Sequence, residues 1–303
     1  MKKIVVLLSV ILSMILCLSS ASGDVKIGVL AKRGAAKCMQ KWGDTGAYLS
    51  EQLGEKVVIV PLKFVAIEPA LQAKKIDFLL ANSAFYVEMQ EKHKIEAVAT
   101  LINSRKGQAL QEFGGVVLVK ADSPIKTVAD IKGKKFMCVK YSSFGGGHMA
   151  WRLLKDNGID PKTDCTEFLQ GGKHDNVVLA VKNGAVDAGT VRTDTLERMQ
   201  DEKKISITDF RIINKVDNEK FPFVCSTRLY PEWPMAACAT TDPAIAKKVG
   251  EALMSLKQDA KAAQTAKVVG WSTPADYQPV KDCLVAISCG VFADGVIVAS
   301  DVK

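Results

Sequence analysis

Histidine is scarce in this chain. The three present, His93, His148 and His174, form no metal-ligand spacing, so no metal centre is expected. No Cys-x-x-Cys occurs, which excludes haem attachment of the c type and a thioredoxin-type site. Gly-x-Ser-x-Gly, His-Glu-x-x-His and a phosphate loop ending in Gly-Lys-Ser/Thr are all missing. A non-enzymatic protein without a cofactor is therefore expected. Aromatics make up 7% of residues, and the basic residues are scattered rather than gathered on a stacking face, which argues against nucleic acid. Trp42, Trp151, Trp233 and Trp271 are expected in the core. Past residue 18, no apolar run approaches the roughly 20 residues that span a bilayer.

What is present begins at the N-terminus. Lys2 and Lys3 precede an apolar run over 4–18 and small residues over 19–23. That order predicts a secretory signal peptide over 1–23, cleaved after Ala21 or Gly23. Cys17 follows Leu16, where lipidation needs a small residue. The remaining chain is expected to be periplasmic and long enough for two lobes. Its net charge is +8, two units of which belong to Lys2 and Lys3. An anionic ligand fits that excess, as does an ordinary soluble surface.

Seven cysteines follow Cys17. An exported chain with that many is expected to carry disulfides. Proximity in sequence or to strand-like segments suggests Cys138–Cys165, Cys225–Cys238 and Cys283–Cys289, leaving Cys38. A redox protein exploiting the odd cysteine is a further reading, and it requires an accessible thiol of low pKa.

One stretch occurs twice. Residues 76–90 and 186–200 share Asp77 with Asp187, Met89 with Met199 and Gln90 with Gln200. Ser83 and Thr193 sit at equal offsets, each suited to capping a helix. Both copies read as strand, turn, helix. Strand-like and helix-like runs alternate throughout, which predicts an α/β fold with mainly parallel sheets. Strands are expected at Val25–Leu30, 56–62, 76–80, 97–102, 116–120, 135–139, 166–169, 186–190 and 210–214. Helices are expected at 44–53, 83–91, from Thr127 to Ile131, from the 141–148 turn to Asn157, from Asp175, from Thr193, and over 243–257. The segment 280–298 is apolar and mixed.

Asn82-Ser-Ala-Phe-Tyr86, Phe113-Gly-Gly115, Ser142-Ser-Phe-Gly-Gly146, Gly172-Lys-His-Asp175, Gly189-Thr-Val-Arg-Thr-Asp-Thr195, Ser226-Thr-Arg-Leu-Tyr-Pro-Glu-Trp-Pro234 and Tyr277-Gln-Pro-Val280 occur in that order. The set resembles the phosphonate-binding periplasmic proteins of ABC transporters. It resembles still more their relatives, the periplasmic sensor parts of tetrathionate-type histidine kinases. The resemblance implies a type II periplasmic-binding-protein fold: two α/β lobes joined by two crossing strands, with lobe I over 24–115 plus 225–303 and lobe II over 116–224. It implies a small anionic ligand in the cleft and a partner, either an ABC permease or a histidine-kinase sensor. The chain ends at Lys303 without a kinase domain, so signalling is expected to need a separate kinase. Ser142-Ser143-Phe144 stands where phosphonate binders commonly have Ser-Thr-Ser, which leaves anion binding in place and the phosphonate open.

The candidate ligand residues follow from anion chemistry. Ser142, Ser143, Gly145 and Gly146 open a helix, where backbone N–H groups and the positive helix end suit an oxyanion. His174 can donate to an oxyanion oxygen and Asp175 can accept from a ligand proton or amine, or cap the helix. Arg192 is a bidentate partner for an oxyanion, with Thr193 and Asp194 beside it. Asn82, Ser83 and Tyr86 occupy the matching turn of lobe I, where Tyr86 fits the core equally well. Arg105 follows a strand and can point into the cleft. The expected function is capture of phosphonate, phosphite or phosphate for a transporter; the alternative is a stand-alone sensor of a sulfur oxyanion such as tetrathionate.

Overall fold

The structure, a computed structural model, describes residues 23–293. The expected signal peptide, Cys17 and the end of the apolar C-terminal segment lie outside the described residues.

Two sheets organise the chain. The first has seven strands: β1 (Val25–Leu30), β2 (Val57–Leu62), β3 (Phe78–Leu80), β4 (Glu96–Arg105), β5 (Gln108–Leu110), β13 (Pro234–Ala237) and β14 (Val268–Ser272). They lie in the order β14-β4-β13-β3-β1-β2, with β5 on β4. The second has five strands, β7 (Gly115–Lys120), β8 (Lys135–Cys138), β9 (Glu167–Gln170), β10 (Ala188–Arg192) and β11 (Phe210–Ile213), in the order β11-β7-β10-β8-β9. We refer to these as lobes I and II. A short antiparallel ribbon of β6 (Glu112–Phe113) and β12 (Tyr230–Pro231) marks the two chain crossings between them, with Tyr230 opposite Phe113.

The sheets are mixed rather than mainly parallel. The βα units give parallel pairs, β2-β1-β3 and β10-β8-β9. Each crossing of the chain then adds antiparallel strands: β7 against β10 and β11, and β13 between β3 and β4. Most strands read as continuous apolar runs because helices cover both faces. Phe78 and Leu80 enter one core with Trp42, Leu49 and Leu253, while Leu79 enters another with Ile67, Tyr86 and Tyr277. Val116 and Leu118 separate from Val117 and Val119 in the same way. This is the period of two expected of a pleated strand.

The helices that matter for the cleft are α1 (Ala35–Leu53), α2 (Phe64–Gln72), α3 (Ser83–His93), α4 (Met149–Asp156), α5 (Pro161–Asp164), α6 (His174–Lys182) and α7 (Thr195–Asp201). Helix α1 starts nine residues before the expected position and ends at Gly54, whose φ of 68° only glycine adopts readily. The remaining helices are α8 (Pro243–Ser255), α9 (Lys261–Ala266) and α10 (Gln278–Ala286), the last covering the start of the mixed C-terminal segment. Among the described residues, no helix is long and apolar enough to cross a membrane.

The expected disulfides are not formed. Cys38, Cys138, Cys165, Cys225, Cys238, Cys283 and Cys289 are all free thiols. Each sits in its own setting: Cys225 Sγ lies 3.1 Å from the Thr227 carbonyl oxygen, Cys165 Sγ 3.9 Å from that of Ile131, and Cys283 and Cys289 flank His148 at 3.8 and 3.4 Å. Burial pushes the Cys138, Cys238, Cys283 and Cys289 thiols up to about 12 and Cys165 to about 11, and raises Cys38 and Cys225 as well. They behave as small hydrophobes. None is the accessible, low-pKa thiol that a redox function requires.

Candidate functional site

Cationic side chains gather where strands end. Lys32 and Arg33 follow β1, and Lys41 lies on α1 just beyond Gly34, whose φ is 91°. Asn103 and Arg105 close β4, and Arg192 closes β10. The space outside the carboxyl ends of strands is where open α/β sheets hold ligands.

Two ion pairs join the lobes across this space. Arg105 Nε of lobe I lies 2.7 Å from Asp194 Oδ2 of lobe II. Arg192 of lobe II pairs with Glu232, which lies between β12 and β13; one guanidinium nitrogen donates to Oε1 and the other to Oε2 at 3.4 Å. Glu232 is fully buried and also accepts from Asn103 Nδ2 at 2.8 Å. Burial opposes its charge, but Arg192, Asn103 and Arg105 hold the carboxyl below its ordinary range. The Arg192 guanidinium lies over the Phe113 ring, 4.0 Å from its centre, and its Nε is buried without a hydrogen-bond partner. A planar cation stacked on a ring and tied to a carboxylate is well fixed in direction.

Lys32 and Lys41 differ from the arginines. Neither has a carboxylate partner among the described residues: Lys32 Nζ lies over the Trp233 ring at 4.8 Å and Lys41 Nζ over the Trp42 ring at 4.7 Å. Lys32 is open to cleft water and Lys41 is half-buried. The surrounding protein, then Arg192 and Lys41, lowers the Lys32 pKa below its ordinary value, an effect that its exposure to water moderates. Enclosure and Arg105 lower Lys41 to about 7.

His174 begins α6 and stands beside them. The Arg192 backbone N–H donates to its Nδ1 at 3.2 Å, so the proton of the neutral ring sits on Nε2. Burial, then Lys32 and Arg192, lowers its pKa to about 3. At neutral pH it is an uncharged donor.

The structure divides the sequence-derived candidates. Arg105, Arg192, Asp194 and His174 come together. Ser142 and Ser143 are partly exposed, and Ser143 Oγ and the His174 ring both border Gly146. Gly145 and Gly146 are buried, and the room they leave is filled by protein. A Cβ on Gly145 would lie 2.8 Å from the Phe113 ring; one on Gly146 would lie 2.5 Å from Val139 and 2.9 Å from His174. Residues Phe144–His148 form a single π turn ahead of α4 rather than an open helix start. Asp175 turns away to Arg198 and Lys204. Tyr86 is core, its hydroxyl accepting from the Ala97 N–H at 3.2 Å. Asn82 rather than Ser83 caps α3, and neither Thr193 nor any other side chain caps α7. Ser83 and Thr193 are instead buried and tied to the crossings: Ser83 Oγ donates to the Pro231 carbonyl at 2.6 Å, and Thr193 Oγ1 accepts from the Gly114 N–H at 3.2 Å.

Sequence reasoning missed Lys32, Lys41, Asn103 and Glu232. Lys32 carried one usable signal, its position two residues past a strand.

Comparison with known proteins bears on this arrangement. A family model described as "ABC transporter, phosphonate, periplasmic substrate-binding protein" matches residues 27–282. The chain is 30% identical over 272 residues to the tetrathionate sensor histidine kinase TtrS of Salmonella typhimurium, covering 89% of this chain and 45% of that one. It therefore spans about half the length of that curated relative. Among solved structures it is similar to XAC2383 from Xanthomonas citri bound to ATP (TM-score 0.69, 18% identity, 88% of this chain and 97% of that one). It is also similar to PhnD1 from Prochlorococcus marinus with methylphosphonate (TM-score 0.64, 15% identity, 86% and 97%). These likenesses establish the type II periplasmic-binding-protein fold. The chain belongs to the family of the periplasmic substrate-binding proteins of phosphonate ABC transporters.

Proposed function

We propose that this protein is an exported solute-binding protein that traps a small oxyanion of the phosphonate, phosphite or phosphate class between its lobes and delivers it to an ABC permease. The observation that carries the reading is the pair Lys32 and Lys41, two cations in the cleft wall with no carboxylate partner among the described residues, set beside Arg105 and Arg192. An oxyanion there gains charge-assisted hydrogen bonds, the stronger kind. His174 Nε2–H adds a neutral donor. Closure of the lobes around the ligand then presents a new surface to the partner. The groups suit binding rather than catalysis: the arginines are fixed by carboxylates, and His174 is held neutral as a donor.

A second reading rests on the 30% identity to a tetrathionate sensor kinase. In it the ligand is a sulfur oxyanion and the partner is a histidine kinase.

A thermal-shift screen with phosphate, phosphite, several phosphonates, sulfate, thiosulfate and tetrathionate tests both. A ligand at 100 times its Kd adds about 2.7 kcal/mol to folding. A shift among the phosphorus compounds supports uptake. A shift with tetrathionate or thiosulfate alone supports sensing. No shift with any of them overturns the oxyanion reading.

A further inference from the structure

Two arginines of the cleft already have an anion. Arg192 has Glu232 and Arg105 has Asp194. The two carboxylates thus neutralise the two arginines, and both pairs bridge the lobes. The uncompensated charge belongs to Lys32 and Lys41, held over the indole rings of Trp233 and Trp42 on the wall of lobe I. Arg33, on the same turn as Lys32, adds to the positive field and has no ion pair among the described residues.

We propose that Lys32 and Lys41 form the charge-neutralising pair of the ligand site, matched to a divalent oxyanion, and that capture of the ligand draws protons from solvent onto them. The inference rests on the oxyanion reading above and deepens it.

Three elements face these lysines. From lobe I come Arg33 and, on β4, Arg105. From the second crossing comes Glu232. From lobe II comes Arg192, with His174 beside Lys32, Asp194 acting on Arg105 and Arg198 acting on His174. The positive groups outnumber the carboxylates, so in the empty cleft each lysine is opposed by like charge and by enclosure. Both effects favour the neutral amine, so in the empty cleft the pKa of each lysine lies below its ordinary value. A bound dianion reverses the balance and stabilises both ammonium forms. The protons come from solvent; no bond within the ligand changes. By linkage, affinity rises about tenfold for each unit fall in pH for every proton taken up.

Isothermal titration calorimetry tests this at pH 7 in two buffers of different ionisation enthalpy. The probe is whichever anion of the screening panel binds tightest, with sulfate and thiosulfate included because they are dianions throughout this range. The reference is the double variant K32R–K41R, whose guanidinium groups stay charged at every working pH. Subtracting its proton count removes any proton exchanged by the ligand itself. The wild type is expected to take up between zero and two protons per ligand more than the variant, and its Kd is expected to rise with pH between 6 and 8. If the double variant does not bind, K32R and K41R singly supply the reference. K32A–K41A is expected to weaken binding at least a hundredfold. Binding without extra proton uptake, or unchanged affinity in K32A–K41A, overturns the proposal and leaves the functional reading intact. If no panel anion binds at any pH, the functional reading falls and the proposal falls with it.

Discussion

The repeated stretches build one unit twice, and they diverge at the turn that faces the cleft. In the first copy Asp77 Oδ2 accepts from the Lys26 N–H of the neighbouring strand at 2.7 Å. In the second Asp187 Oδ2 accepts from the Lys135 N–H at 2.8 Å. Met89 and Met199 are both buried. Ser83 and Thr193, at equal offsets, each hold one crossing of the chain. At the helix start the likeness ends. Asn82 keeps an extended backbone and accepts from the Phe85 N–H at 3.1 Å. Asp194 takes a φ of 73°, caps nothing with its side chain, and reaches Arg105 in the other lobe. One turn serves its own helix; the other leaves its helix uncapped and reaches across the cleft.

The largest expected effect lies at Glu232, whose backbone the first copy holds and whose carboxylate the Arg192 of the second copy holds. E232Q leaves Arg192 without its charge partner at a fully buried position. Breaking such a pair costs about 3 kcal/mol or more, readable by urea unfolding. A loss below about 1 kcal/mol would mean that the pair is dispensable to the fold. A smaller effect distinguishes the two turns. N82A should cost about 1 kcal/mol, the worth of a helix cap. D194N should cost under about 0.5 kcal/mol, since it removes a partly exposed ion pair and no cap. Equal losses would show that the turns do the same job.

The last effect is one of pH. Lys41 is lowered from its ordinary 10.5 to about 7 by enclosure and Arg105. Between those values the unfolded chain holds more protons than the folded one, so ligand-free stability rises with pH across that window. Below about pH 7 the penalty is complete. K41M is therefore expected to raise the Tm of the ligand-free protein at pH 6, and by less at pH 10, while ligand affinity falls. A lowered Tm at pH 6 would remove the lysine from its assigned surroundings.

The α/β architecture was readable because buried strands leave continuous apolar runs, and Val25–Leu30 appears as expected. The mixed sheet order was not, because pairing across 150 residues of chain leaves no local pattern. The arginines of the site were readable as anion partners, and Asp194 as their neighbour. Lys41 was not, since nothing in its local sequence separates it from the other basic residues among 41 lysines and arginines, and Lys32 offered only its place two residues past a strand. Glu232 was hidden by its sign: a carboxylate inside an anion site makes sense only once Arg192 is seen beside it. The cysteine expectation failed because count and spacing say nothing of which thiols face each other.

Strand β13 sits between β3 and β4 yet lies more than 120 residues beyond both. Until residues 234–237 arrive, the larger sheet exists as two unjoined halves with exposed edges. The smaller sheet draws all its strands from one continuous segment, 115–213, and can close first. Order of assembly is thus written into the topology: the chain that starts lobe I must wait for lobe II before its core can form. Such a long-range closure slows folding, and it leaves the edges of the larger sheet unpaired for longer than those of the smaller one.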